Sequence, residues 1–169
     1  PAAGMGRRMG SDRTKLLLQL LGKPLLVWSL LAAEDATSIE WIGIMGQPGD
    51  PIAFKNILSP LDLRKPVELI VGGEPRPESV YNGLQALPQD AQRVLIHDGA
   101  RCLATSELFD RCSEALLACK GLIAAVPVKD TIKVVDSKGI ITATPARQDL
   151  WAAQTPQGFE VELLKGCHA

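Results

Sequence analysis

Cationic side chains set among glycines open this sequence: Pro1-Ala2-Ala3-Gly4-Met5-Gly6-Arg7-Arg8-Met9-Gly10 runs on to Lys15. Glycine lacks the Cβ that keeps a polyanion away from backbone N–H groups, and it permits the positive φ an inward-folding loop needs. Gly4, Gly6 and Gly10 therefore expose backbone donors, while Arg7, Arg8 and Lys15 supply guanidinium forks and an ammonium to phosphate oxygens. The loop is not a Walker loop, because it lacks Gly-Lys-Ser/Thr. Nor does it match G-x-G-x-x-G, since its third glycine comes one place late and the next strand-like run ends in Gly46-Gln47 without a carboxylate.

Two more stretches carry chemistry. Asp98 follows an apolar run and precedes Gly99, a position from which its carboxylate would face bound phosphate and share a divalent cation such as Mg2+. Gly72-Gly73-Glu74 with Arg76 and Ser79 offers backbone groups for a flat ring edge, with Ser79 as a cap for the following helix. Arg101, Lys133 and Arg147 are further cations, suited either to a second phosphate or to exposed ion pairs. His97 ends a strand and is read as a packing residue. No Ser/His/Asp order, acid/base carboxylate pair or activated thiol assembles from the sequence. Positioning and charge remain, and phosphoryl or nucleotidyl transfer requires little else, with Arg8 and Lys15 as the stabilising cations.

Composition narrows the class. At 169 residues and net charge -1, the chain is long enough for one full core and has no broad basic field for nucleic acid. No apolar run approaches the roughly 18 residues of a membrane span. Cys102, Cys112, Cys119 and Cys167 lie far apart with no C-x-x-C, which suits buried free thiols in a reducing compartment better than zinc.

The elements that must position these groups alternate. Apolar spacing predicts a helix from Pro24 to about Ala36, a strand over Ile39–Met45 and a helix over Ile52–Leu58. A strand over Val67–Val71 and a helix over Glu78–Leu87 follow, then a strand over Arg93–Ile96. Thr105 is the expected N-cap of a helix from Ser106 to Cys119, ahead of a buried strand over Leu122–Val128. Such alternation implies an α/β fold with a mainly parallel sheet covered on both faces, whose ligand sits outside the carboxyl ends of the strands. Three loops, at Gly4-Met5-Gly6, Gly72-Gly73 and His97-Asp98-Gly99, should meet on that rim. A phosphate loop of this kind hangs from a buried strand, so a strand is expected ahead of Pro1. Thr131–Val135 and Ile140–Thr144 flank Asp136-Ser137-Lys138-Gly139 as a hairpin, too small to stand alone and expected to pack on another surface such as a second subunit. A last helix begins near Glu160.

Taken together, P-A-A-G-M-G-R-R-M-G with Lys15, G-G-E-P-R-P-E-S-V, V-L-I-H-D-G-A-R, P-V-K-D-T-I-K and L-W-A-A-Q-T-P-Q-G-F resemble the 2-C-methyl-D-erythritol 4-phosphate cytidylyltransferases across nearly the whole chain. Several details suggest a cyanobacterial or plastid-like member. The resemblance implies a Rossmann-like nucleotidyltransferase fold in a single domain over residues 1–169, with a hairpin arm over 130–146 that interlocks a homodimer. It implies CTP and Mg2+, and attack of the methylerythritol phosphate on the α-phosphorus of CTP with release of pyrophosphate. By motif position, Arg8 and Lys15 stabilise the transition state. Ala2, Ala3, Gly4, Gly6, Gly73, Glu74, Ser79, Asp98 and Gly99 fall at nucleotide-binding places, with Asp98 on the metal. Arg101, Thr131, Lys133 and Arg147 match the substrate-phosphate side, some acting across the dimer. A cytoplasmic location is expected, or the stroma in a plant.

Departures are local. Thr14 stands for the usual proline before the lysine, Gly99 for alanine and Cys102 for proline, and no acidic residue precedes Arg147. The family also continues past the position of Ala169 with a further lysine and aspartate. The competing readings are a ribitol 5-phosphate cytidylyltransferase, which Asp130-Thr131-Ile132-Lys133 and Leu150-Trp151 disfavour, a nucleotide-binding module without turnover, and a nicotinamide-dependent dehydrogenase, which Arg7-Arg8 disfavours.

Overall fold

The computed structural model of the chain describes residues 15–47, 49, 51–73 and 76–167. After a 3-10 turn at Lys15–Leu17, a two-residue hairpin pairs β1 (Gln19–Leu20) with β2 (Lys23–Pro24). Its turn places Leu21 at φ 49° and Gly22 at φ 78°, the two positive values of a tight hairpin turn. Helix α1 (Leu25–Asp35) follows, then β3 (Ile42–Gly46), α2 (Pro51–Leu58), β4 (Val67–Val71), α3 (Arg76–Gln85), β5 (Arg93–Ile96), α4 (Ser106–Ala115) and β6 (Gly121–Pro127). Strands β7 (Val134–Val135) and β8 (Ile141–Ala143) form the hairpin, and β9 (Trp151–Glu160) leads into α5 (Val161–Gly166). The α/β alternation expected from apolar spacing is present, and Thr105 caps α4 by accepting from the Leu108 N–H at 3.4 Å.

Strands β3 and β4 pair in parallel, from Ile42 opposite Val67 to Gly46 opposite Val71. The other group has the order β5-β9-β6, and β9 runs antiparallel to both neighbours. The sheet is thus less uniformly parallel than expected. Trp151–Glu160 returns after the hairpin excursion and inserts between two strands that share a direction. Its Gln-Thr-Pro-Gln-Gly stretch hides it from a reading by propensity, since proline and glycine weigh against an inner strand. The hairpin pairs over a shorter span than expected, with Val134 opposite Ala143 and Val135 opposite Ile141.

Two apolar clusters anchor the layers. Leu16, Leu26, Leu30, Ile44 and Phe54 form one, against which Ala100 packs, and Val80, Leu84 and Ile96 form the other. Between them lies a cavity of about 820 Å³ lined by both β3 (Ile42, Ile44) and β5 (Val94, Ile96). Each of these strands has one paired edge and, among the described residues, no strand partner on the other.

Helix α1 lacks a C-terminal glycine, and the loop after α2 closes it instead. The Lys65 ammonium donates to the carbonyls of Ala33, at 2.9 Å, and Ala36, satisfying acceptors the last turn leaves open. Buried Glu34 accepts from the Arg64 N–H at 2.8 Å and from Arg64 Nε at 3.1 Å. Burial alone would raise its pKa, but these donors outweigh it and hold the carboxyl below its ordinary value. Of the four free cysteines only Cys112 is buried, and Cys119 and Cys167 are exposed, which departs from the expected set of buried thiols.

Candidate functional site

Strands β4 and β5 both end in loops, and the residues that follow them meet. The turn after β5 starts at Asp98, whose carbonyl accepts from the Arg101 N–H at 2.8 Å. The loop after β4 runs through Gly72 and Gly73 into α3, whose first residue is Arg76. Arg76 Nε and Nη2 each lie 3.4 Å from Asp98 Oδ1, and Arg101 Nε lies 3.3 Å from Asp98 Oδ2. One carboxylate therefore stands between two guanidiniums, one from the start of α3 and one from the turn after β5. The three side chains are 35%, 46% and 39% exposed for Asp98, Arg76 and Arg101, so the cluster lies at the surface where a ligand can reach it. Partial burial acts to raise the Asp98 pKa, while the Arg101 hydrogen bond and the Arg76 charge more than offset this and keep it lowered. Asp98 is ionised at neutral pH.

The turn is fixed from behind. Ser29 of α1 donates to the Gly99 carbonyl at 2.9 Å in a buried bond. Thr155 Oγ1 accepts the Asp98 N–H at 3.2 Å and lies 3.0 Å from His97 Nδ1. The other ring nitrogen of His97 lies 3.3 Å from the Arg101 carbonyl, and the ring meets Phe109 edge-on at 5.0 Å. Burial pushes the His97 pKa down to about 4, against the opposing pull of the Arg101 carbonyl. His97 is thus a neutral packing and hydrogen-bonding residue, as its place at a strand end suggested.

The β4 loop is held equally closely. Ser79, buried, donates to the Gly73 carbonyl at 2.9 Å, and Asn82 donates to the Val71 carbonyl at 2.9 Å. Ser79 is the fourth residue of α3 rather than its cap, so it orients the loop from inside the helix. Gly73 has no room for a side chain: a Cβ there would lie 2.4 Å from Glu78 Cβ.

Sequence reasoning missed the part played by β9. Gln157, opposite Ile96, accepts from Arg76 Nη2 at 3.2 Å, and Gln154 accepts from Arg101 Nη1. Arg76, expected beside the ring pocket, is bound to Asp98. The sequence signals for the glutamines are their place beside Thr155-Pro156 and their presence in the L-W-A-A-Q-T-P-Q-G-F motif, neither of which says what they bind.

Of the remaining residues expected at the site, Lys15 is half-buried at the start of the turn before β1. Thr131, Lys133 and Arg147 are exposed on and beside the hairpin. Lys133 donates to Thr144 Oγ1 at 2.8 Å and Arg147 to the Lys129 carbonyl at 2.9 Å. Among the described residues, no hydrogen bond joins these three to the Asp98 cluster. Ala2, Ala3, Gly4, Gly6, Arg8 and Glu74 lie outside the described residues. No group of three or more His, Cys, Asp or Glu suited to a metal occurs among the described residues.

Comparison with known proteins gives this geometry a family. The sequence matches the IspD family, 2-C-methyl-D-erythritol 4-phosphate cytidylyltransferase, over residues 1–169. A protein of that name from Crocosphaera subtropica is 69% identical over 168 residues, covering 99% of this chain and 74% of the relative. The one from Microcystis aeruginosa is 68% identical with the same coverage. Among solved structures, the 4-diphosphocytidyl-2C-methyl-D-erythritol synthase of Anaerococcus prevotii superposes with a TM-score of 0.86 at 32% identity, covering 98% of this chain and 69% of that one. The Thermus thermophilus 2-C-methyl-D-erythritol 4-phosphate cytidylyltransferase gives 0.75 at 29% identity, covering 99% and 71%. A full-length family match, close relatives and a shared nucleotidyltransferase fold agree, and the chain belongs to the 2-C-methyl-D-erythritol 4-phosphate cytidylyltransferase family.

Proposed function

We propose that this protein transfers a cytidylyl group from CTP to 2-C-methyl-D-erythritol 4-phosphate, giving 4-diphosphocytidyl-2-C-methyl-D-erythritol and pyrophosphate for isoprenoid synthesis. The observation that carries the reading is the clustering of Arg76, Asp98 and Arg101 where the loops after β4 and β5 meet. A phosphate oxygen of methylerythritol phosphate attacks the α-phosphorus of CTP, a new P–O bond forms, and the bond to the β-phosphate breaks. Arg8 and Lys15 stabilise the charge that gathers on the phosphorus oxygens. Gly73, Ser79 and Gly99 shape the nucleotide side, with Ala2, Ala3, Gly4, Gly6 and Glu74. Arg101, Thr131, Lys133 and Arg147 bind the substrate phosphate.

Asp98 is the carboxylate for Mg2+. A single ionised, part-exposed carboxylate suits this ion, which takes one or two carboxylates and fills its remaining positions with substrate phosphate oxygens and water. When bound, Mg2+ neutralises charge on the triphosphate. The chain's own contribution is to keep Asp98 ionised and part-exposed between Arg76 and Arg101, whose guanidiniums would turn to phosphate oxygens as the carboxylate took the ion.

The hairpin and the outer strand beside it support a homodimer built through residues 130–146. Val134, Val135, Ile140, Ile141 and Trp151 are all exposed, as are Ile123 and Val126 of β6. Exposed apolar side chains gathered on a short hairpin suit an interaction site. The gap between β3 and β5, whose facing edges have no strand partner among the described residues, supports a further strand there, completing one sheet and one domain. No helix among the described residues is long and apolar enough to cross a membrane.

Incubation with CTP, Mg2+ and methylerythritol phosphate should release pyrophosphate. Arg8→Ala and Lys15→Ala should each slow release by about 10² to 10³. Release by the unaltered protein no faster than by these variants would remove the reading.

A further inference from the structure

The reaction leaves Gln154-Thr155-Pro156-Gln157 without a role, yet this segment touches both cations that flank Asp98. Gln157 holds Arg76, Gln154 holds Arg101, and Thr155 between them holds the Asp98 N–H. Strand β9 is paired on both sides at Gln157, opposite Ile96 of β5 and Ile123 of β6, while Gln154 sits in the bulge between the Ile123–Gln157 and Ala125–Ala153 pairs. Gln157 therefore projects from a doubly paired inner strand, and Gln154 from the bulge next to it, where two ladders hold the chain on either side. Such a frame holds a functional side chain more closely than a loop does.

Their chemistry is specific. A primary amide offers a neutral oxygen acceptor, so it takes one guanidinium N–H and leaves the positive charge intact. A carboxylate in the same place would take the same N–H and cancel the charge. Asp98 already offsets one of the two guanidiniums, so the cluster as built carries a surplus of one positive charge. Each guanidinium has five N–H donors, more than Asp98 and one glutamine occupy. We propose that Gln154 and Gln157 are positioning residues that fix Arg101 and Arg76 beside Asp98 without neutralising them, leaving both cations free to grip substrate phosphates. This rests on the cytidylyltransferase reading and adds to it a charge requirement at two positions.

The test compares Gln154→Glu and Gln157→Glu with Gln154→Met and Gln157→Met in the full chain. The first pair keeps length and acceptor but adds negative charge; the second keeps length and removes the acceptor. The readouts are KM and kcat for both substrates, melting temperature, and calorimetric affinity for inorganic pyrophosphate without turnover. The glutamate variants should melt close to the unaltered protein, raise KM by about tenfold or more, and weaken pyrophosphate binding to match. The methionine variants should raise KM by about threefold, through arginine mobility alone.

Glutamate variants with KM and pyrophosphate affinity within twofold of the unaltered protein overturn the proposal. So do methionine variants that lose as much as the glutamate variants while also melting lower, the mark of a merely structural role. If a glutamate variant fails to fold, the methionine variant decides alone: unchanged KM and pyrophosphate affinity sink the idea. Pyrophosphate binding that responds as expected in a protein without turnover counts against the cytidylyl reaction and in favour of the charge requirement.

Discussion

Thr155 Oγ1 lies 3.0 Å from His97 Nδ1 and accepts the Asp98 N–H at 3.2 Å, so one buried hydroxyl links the inner strand to the turn that presents the carboxylate. Accepting from Asp98 frees its own hydrogen for Nδ1. His97 can then donate from Nε2 to the Arg101 carbonyl, which lies 3.3 Å away. The chain of bonds is closed with every ring nitrogen used.

Thr155→Val keeps the shape and removes the hydroxyl, leaving the Asp98 N–H and His97 Nδ1 unpaired in a part-buried place. The expected cost is about 1–3 kcal/mol, with Thr155→Ser recovering most of it. Urea denaturation of the two variants checks this. Equal stabilities would mean that the hydroxyl contributes only its volume.

The same link sets a pH dependence. The folded pKa of His97 is about 4, below the ordinary 6.5, so between those values the unfolded chain binds a proton that the folded chain does not. Stability should be full above pH 6.5, decline as pH falls toward 4, and lose on the order of 3 kcal/mol across that window. Asp98 and Glu34 are lowered carboxylates, so their contributions begin to be lost only below their ordinary values of 3.8 and 4.5. The slope between pH 6.5 and 5 therefore belongs to the imidazole. Replacing His97 by glutamine should flatten the stability curve there, and an unchanged slope would assign it to another group.

Residues next to a strong local pattern were legible from sequence. Asp98, Gly99 and Arg101 follow the apolar run Val94–Ile96, and the end of such a run in an α/β chain is a ligand rim. Thr105 was legible as a cap because capping is a matter of a few neighbouring residues. The pairing of Arg76 with Asp98 spans 22 positions, and that of Gln157 with Arg76 spans 81. Nothing local encodes such separations. Strand β9 was unreadable for a related reason: its extended form comes from pairing with β5 and β6, which overrides a composition that disfavours strands.

Gly158 shows how tightly that inserted strand is packed. A Cβ there would lie 2.9 Å from Leu95 Cδ2 and 3.2 Å from both Leu116 Cδ2 and Leu122 Cγ. Leu116 is itself buried, so the neighbours have little space to yield. Gly158→Ala should destabilise by about 1–3 kcal/mol through overpacking. Gly166→Ala, where a Cβ meets nothing within 4 Å, serves as the control. Thermal melts showing both variants unchanged would indicate a β5-β9-β6 sheet looser than its contacts imply.

The hairpin supplies the last prediction. Val135 and Ile141 face each other in register across it, and both are more than half exposed. An isolated two-stranded hairpin is marginal in water, so apolar side chains maintained there gain most when another surface covers them. If that surface is a second copy, introducing charge at both positions should separate the copies without unfolding either. Val135→Glu with Ile141→Glu should halve the mass measured by sedimentation while far-UV circular dichroism stays the same. Lys138→Glu, in the exposed turn of the same hairpin, should leave the mass alone. Turnover should fall together with the dimer if Thr131, Lys133 and Arg147 reach the partner's site, and it should persist in the separated copies if they act within their own. A double variant of unaltered mass would place the association on another face.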